Sequence, residues 1–466
     1  MAVSSKDDEL VQSIYLSIGR IYYDLGQYTS ANNYFVSARG EGNSEAFYWQ
    51  AKTALVSGNS KSAGSLLEKA MESTDSDELK EKYIREYFSS GDDKEDISQR
   101  TQSVLSNKEL PGEIISYGNL ILGDMLDNME LKLEYFNLVK QFYVNDPENI
   151  LKKKFSASAD LKLARLYVKN NMDVEAEGVY KYIIDNYSGI DYDFYTINAV
   201  QDLSDLYLKQ ADEYLKVSKN ENALLVYYKA YELDRENLIT LRGMADSYFS
   251  LGKIDEIIKF FSAEYEKDTS SSTMNYALGY AYSLKAINSG KYLRPLINLS
   301  IKLIERSLEL ESSNKYAYLT LSYNFEALFH LKNIQEEEIK KQNVLLKGVN
   351  YIVGPVKFLL STVNLIKYED VDYLDKTINT LNKGLAISDI VFDRELYLKM
   401  TLNLANNYYN LGEFGRKSAL EKYQIILNND YNFKSIGQKA IIYEKIGHCH
   451  FTLGNDEAEE YYDKAI

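Results

Sequence analysis

The chain has 466 residues, 45% hydrophobic and 13% aromatic, more than one compact core usually holds, so several domains or a stacked array is expected. A net charge of −16 repels phosphate backbones, and nucleic acid is therefore not expected as a partner. A single cysteine, Cys449, excludes an intramolecular disulfide framework, and three histidines leave little material for acid–base or metal chemistry.

Residues Met1 to Glu9 carry neither a basic nor an apolar leader segment. The compartment is left open between the cytoplasm and, if a signal or anchor has been removed, the periplasm or cell envelope. The first predicted helix shows Tyr15, Ile18, Gly19 and Tyr22, bulky and small residues three and four apart on one face. Leu25-Gly26 closes it, because glycine accepts the left-handed conformation of a helix C-cap. A second helix follows with Tyr28, Ala31, Phe35 and Ala38. Gly19 permits the two helices to approach, and Ala31 and Ala38 let the second helix nest against its neighbours.

A second pair begins near Ser44, with Phe47, Ala51, Ala63, Leu67 and Ala70 in the same roles. From Asp75 to Asn149 the periodicity stays helical but the small-residue pattern is lost, and Ser89 to Asp96 reads as a polar loop. The pattern returns at Ala157, with Leu163, Ala164, Tyr167, Ala176, Tyr180 and Ile183. Units starting at Ser204, Leu238 and Ser272 then follow at steps of 34 residues. In them Ala223, Tyr227 and Ala230 match Ala31, Phe35 and Ala38, while Leu241, Met244, Ala245, Tyr248 and Leu251-Gly252 match the first helix.

An insertion near Asn288 to Asn298, containing Gly290 and Pro295, lengthens the repeat that starts at Ser272. A unit at Lys315 leads into an irregular stretch, Asn333 to Arg394. Within it, Gly348 to Ile366 carries one charge, Lys357, and approaches the length of a membrane span. Gly354-Pro355 at its centre and Lys347 and Lys367 at its edges favour a buried, broken helix pair instead. Units at Tyr397 or Leu398 and at Ala440 complete nine, and the chain stops at Ile466 within a second helix, as expected of a fragment.

These residues resemble the tetratricopeptide repeat (TPR), a helix–turn–helix unit of 34 residues. The resemblance implies an all-α fold of TPR-like helix-turn-helix repeats stacked as a right-handed superhelix, an α-solenoid. It divides the chain into N-terminal repeats (1–75), degenerate helical repeats (76–156), a central array (157–332), an irregular helical segment (333–396) and C-terminal repeats (397–466). It also implies that first helices line the concave groove, with the fifth, ninth and twelfth residues of each repeat facing inward. That count selects Arg20, Tyr23, Arg165, Arg242, Asp246, Phe249, Tyr276, Tyr280, Tyr323, Asn406 and Tyr409 as partner-binding residues. Aromatics beside arginines are the composition of binding hot spots. Replacing Arg242, Tyr276 and Tyr280 together is expected to abolish binding and leave the fold intact.

The implied role is a non-catalytic scaffold or adaptor that assembles a multiprotein complex, in a bacterial cell-envelope or motility assembly in its finer form. The alternative is a peptide-sensing regulator that changes conformation on binding. The partner would be a protein or an extended peptide in the groove, with membrane contact only through 348–366, and no cofactor is expected. The lysine/asparagine clamp by which TPR co-chaperones hold acidic tails is missing, since the fifth and ninth positions read Leu16/Arg20, Arg242/Asp246 and Leu402/Asn406. A bias of 42 lysines over 11 arginines fits an AT-rich bacterial genome.

Enzymatic function is not expected. His448 and His450 lie two apart and project to different sides of a helix, so they do not chelate one metal ion. Gly58-Asn-Ser-Lys61-Ser-Ala-Gly64 lacks phosphate-loop spacing and falls at a turn between helices. One tryptophan, Trp49, is too few for the sugar-stacking clefts of helical glycosidases.

Overall fold

The computed structural model describes residues 2–40, 43–89, 94–106, 110–288, 293–349, 372–429, 431–433 and 435–466. Among these there is no β-strand, and the chain folds as α-helices joined by short turns. It divides into two compact units, Met1–Tyr207 and Leu208–Ile466. The boundary lies within helix Asp193–Lys216.

In the first unit, helices α1 (Ala2–Asp24) and α2 (Tyr28–Ser37), Ser44–Val56 and Ser60–Glu72, Gly112–Met125 and Met129–Val144, and Ile150–Lys169 and Asp173–Asn186 pack as hairpins. In the second, Leu238–Ser250 pairs with Ile254–Lys267 and Ser272–Asn288 with Leu293–Leu310. The helix Lys315–Val349 then packs on Tyr373–Ala386, Arg394–Asn410 on Arg416–Asn428, and Ile436–Leu453 on Ala458–Ala465. Within each unit successive hairpins stack in chain order, which is an all-α, TPR-like solenoid arrangement.

The sequence explains the hairpins at residue level. A Cβ placed on Gly19 would stand 2.5 Å from the Phe35 ring, so only glycine lets α1 and α2 meet around that phenylalanine. Ala31, Phe35 and Ala38 are fully buried in the resulting core. Gly26 and Gly252 close their first helices at φ of +73° and +70°, in the left-handed region. Where no glycine was available, Asn171 and Ser218 adopt the same conformation at φ of 57° and 58°. Asparagines serve the helix starts. Asn43, Asn59, Asn128, Asn149 and Asn237 each precede a helix and accept a hydrogen bond from the third backbone N–H beyond.

The stretch read from sequence as degenerate continues the hairpin pattern: Asp77–Ser89 and Lys94–Leu105, then Gly112–Met125 and Met129–Val144, are helices in order. Its core relies on large aromatics, with Tyr83, Tyr87, Phe88 and Phe136 almost wholly buried. Gly123 repeats the Gly19 device, since a Cβ there would lie 2.6 Å from Phe136. It sits thirteen residues before its phenylalanine instead of sixteen, which hides it from a fixed-spacing reading.

In the irregular stretch, Lys315–Val349 is one long helix and Tyr373–Ala386 its partner, capped by the Asp372 carboxylate. The apolar run 348–366 lies almost entirely outside the described residues. Among the described residues no helix is long and apolar enough to cross a membrane.

Candidate binding sites

Four of the sequence-assigned residues of the second unit converge on one network. First helices stack so that residues 34 apart face each other, and the side chains of Arg242 and Asp246 meet those of Tyr276 and Tyr280 across this step. The Arg242 guanidinium donates to the Tyr276 hydroxyl, to Tyr280 Oη at 3.4 Å and to Thr320 Oγ1 at 3.5 Å. It also lies 4.2 Å from the Tyr280 ring centroid and 5.0 Å from that of Tyr316. The Tyr280 hydroxyl donates in turn to Asp246 Oδ1 at 2.6 Å. Tyr276 and Tyr280 stack with ring planes 11° apart.

Charge in this network is set by its neighbours. Burial works against the Arg242 cation, but Tyr276, Tyr280 and Asp246 outweigh it and raise its pKa, so it stays charged. Burial pushes the Asp246 carboxyl above its usual range, against the pull of the Tyr280 hydroxyl and of Arg242 and Lys399. Burial likewise raises the Tyr280 phenol.

Tyr276 is fully buried and has no surface to offer a partner. Its assignment as a groove residue is therefore corrected, and with it the expectation that the Arg242, Tyr276 and Tyr280 triple replacement would spare the fold. The physical reason is that Lys315–Val349 brings Tyr316 and Thr320 over these positions. The contact from Arg242 to Thr320 spans 78 residues, ten more than two regular 34-residue steps, because the insertion near 288–298 lengthens the unit between them and Thr320 stands one place further along its own unit.

Asn406 and Tyr409, on Arg394–Asn410, form a second group in this unit. Asn406 Oδ1 accepts from Lys445 Nζ at 2.7 Å and from the Tyr423 hydroxyl at 2.9 Å. Tyr409 lies under the Arg416 guanidinium, 3.9 Å from ring centroid to Cζ, and its hydroxyl meets His448 Nδ1 at 2.5 Å. His450 faces elsewhere and stacks on Tyr461, so the two histidines serve different neighbours. Phe249 is half-buried and Tyr323 exposed. A cavity of about 470 Å³ opens between Glu305 and Glu309 on one side and Lys376 and Lys383 on the other, over Tyr318 and Phe325. It involves none of the residues selected from sequence.

In the first unit, Arg20 pairs with Glu45 on the next first helix and lies 5.3 Å from the Trp49 ring. Tyr23 meets Trp49 edge-on at 5.3 Å. The Lys52 ammonium stands 4.8 Å from the Trp49 ring, 5.6 Å from Tyr48 and 5.8 Å from Tyr23. The indole N–H of Trp49 and the Arg20 Nε–H are buried without a hydrogen-bond acceptor among the described residues. Arg165 is apart from this group and pairs with Asp202 at 2.6 Å and Asn198 at 2.9 Å.

Counting fifth, ninth and twelfth positions missed Trp49, Lys52, Tyr316, Thr320, Lys445 and His448. Trp49, the sole tryptophan, was the one signal available for the first cluster; the others join through contacts between repeats that no count within a repeat reports.

These hairpins and their stacked first helices define a TPR-like helical-repeat protein. No family model matches the sequence, and no curated protein is similar to it. Among solved structures it is similar to TTC0263, a thermophilic TPR protein of Thermus thermophilus, at 11% identity over 52% of this chain and 98% of that one, with a TM-score of 0.35. It is similar to MamA at 18% identity over 48% and 92%, with a TM-score of 0.30. It is also similar to human IFIT1 with PPP-AAAA, at 14% identity over 97% and 90%, with a TM-score of 0.26. Likenesses of this size concern the fold alone.

One expectation is corrected, that the net charge excludes nucleic acid; the IFIT1 structures hold PPP-AAAA and m7Gppp-AAAA. Net charge sums the entire surface, whereas a ligand meets a local field, so −16 does not exclude a nucleic-acid ligand.

Proposed function

We propose that this protein is a non-catalytic binding scaffold that holds a protein partner against its first-helix faces. The observation that carries the reading is the cluster around Trp49. Lys52 stands near three aromatic rings and Arg20 stands near one, on an otherwise acidic chain. Rigid aromatics with adjacent cations give large contact area at low entropic cost, and acidic or aromatic partner side chains complement them. In its finer form the reading places the scaffold in a cell-envelope or motility assembly, by analogy of fold.

The test is affinity capture with the 466-residue chain, comparing wild type with Lys52→Glu and Arg20→Glu. A partner retained by wild type and lost from both variants, whose helicity and melting stay unchanged, supports the reading. Equal retention by all three proteins overturns it.

A further inference from the structure

A cavity of about 240 Å³ lies in the second unit between Leu238–Ser250 and Arg394–Asn410, beside the Arg242 network. Its wall carries Arg242 and Asp246 from one helix and Glu395 and Lys399 from the other. Tyr227, Ile239, Tyr316, Leu319 and Leu396 supply its apolar side chains. The volume falls below the roughly 300–1,000 Å³ occupied by drug-sized ligands, so the space suits a much smaller molecule.

Arg242 and Asp246 are four residues apart on one helix, the spacing at which opposite charges ordinarily form an ion pair. They form none here. The Tyr280 hydroxyl stands between them, accepting from Arg242 and donating to Asp246. Of the five guanidinium donors, three are used on Tyr276, Thr320 and Tyr280, which leaves two. Asp246 Oδ1 is occupied by Tyr280, and Oδ2 has no protein partner among the described residues. A fixed cation and a fixed anion therefore face the same small space with hydrogen-bonding capacity left over. Lys399 and Glu395, paired at 2.5 Å, repeat the two signs on the opposite helix. Glu395 is largely exposed and marks the mouth.

We infer that this cavity binds one free α-amino acid with an apolar side chain. The ligand carboxylate takes the two remaining donors of Arg242, and its ammonium donates to Asp246 Oδ2. Residues four apart on a helix stand about 5–6 Å apart at Cβ, which matches two charged groups carried on one carbon and approached through hydrogen bonds. The side chain rests against Tyr227, Tyr316 and Leu319. The cavity wall carries both signs, so a zwitterion satisfies it and a lone anion or cation leaves one buried charge without a partner. Tyr276 and Tyr280 hold the arginine in place and are positioning residues. The inference goes beyond partner capture and is independent of it, since the Trp49 cluster takes no part.

The test is calorimetric titration of the full chain with each of the twenty L-amino acids. At least one apolar amino acid is expected to bind with a dissociation constant of about 1 mM or tighter. Its N-acetyl and carboxamide derivatives, each lacking one charge, are expected to bind at least about tenfold more weakly. Asp246→Asn keeps an oxygen for the Tyr280 hydroxyl and is expected to lose binding at unchanged melting temperature. Ile239→Trp, at a half-exposed position on the cavity wall, is expected to block entry and checks the assignment should the first variant unfold. Absence of binding by all twenty amino acids, equal binding of the blocked derivatives, or undiminished binding by a folded Asp246→Asn or Ile239→Trp would each overturn the inference.

Discussion

Arg20 and Arg242 both stand on first helices, at the ninth and fifth places of their repeats, and meet opposite fates. Arg20 keeps a side-chain exposure of 37% and pairs with Glu45, itself 40% exposed. Arg242 is enclosed by Tyr276, Tyr280 and Thr320, with Tyr316 over its face. Position within a repeat therefore says which way a side chain points along its own hairpin. What it then meets depends on how later hairpins lie across it. In the second unit the helices Lys315–Val349 and Arg394–Asn410 border the slot, and a surface position becomes the wall of a cavity.

That contrast can be broken most directly at the tyrosines. Tyr276→Ala removes a fully buried ring and is expected to cost about 3–5 kcal/mol in denaturant unfolding. Tyr23→Ala, at a half-buried ring with edge contacts to Tyr28 and Trp49, is expected to cost about 1–2 kcal/mol. Equal losses would place both residues in the same environment and dissolve the distinction.

Glu81 sharpens the comparison by asking whether burial, and not repeat position, sets the size of an ionic effect. It lies in the stretch with the weakest sequence pattern, is 14% exposed, and accepts from Lys154 Nζ and Arg85 Nε, each at 2.7 Å. Burial alone would raise its pKa, but the hydrogen bonds from Lys154 and Arg85 prevail and hold it below the ordinary 4.5. The depressed value means that its contribution is present above pH 4.5 and is lost as pH falls through the folded-state pKa. Glu81→Gln is expected to cost about 1.5–3 kcal/mol at neutral pH, with the difference from wild type vanishing in acid. A difference that persists unchanged in acid would remove the charge from the explanation.

The smallest effects separate the arginines themselves. Arg242→Met leaves the hydroxyls of Tyr276 and Tyr280 without their guanidinium donor and is expected to cost about 1–3 kcal/mol. Arg20→Met breaks a solvent-exposed ion pair, and a loss of about 0–1 kcal/mol is expected. Salt titration should shift the second value and leave the first nearly unchanged.

Much of the fold was legible in the sequence, because helix pairs are specified locally. Gly19 against Phe35, the Leu25-Gly26 closure and the asparagine caps act within one hairpin, and their 34-residue recurrence reveals the array. The hairpins between 77 and 144 were harder to read, since Gly123 performs the same task at another spacing and aromatics replace alanines in the core. The groove count reached Arg242, Asp246, Tyr276 and Tyr280 together, but it did not separate the buried tyrosine from the charges that border open space.

The sequence by itself determined the helices, their pairing and the step that sets Arg242 against Tyr276 and Asp246 against Tyr280, since each depends on a few residues close in the chain or one repeat apart. Only the tertiary structure decided that Thr320, 78 residues on, completes the arginine's shell, and that Glu395 and Lys399 border the same cavity. Those contacts arise from how non-adjacent hairpins stack and from the residues inserted between them. No single repeat encodes either quantity.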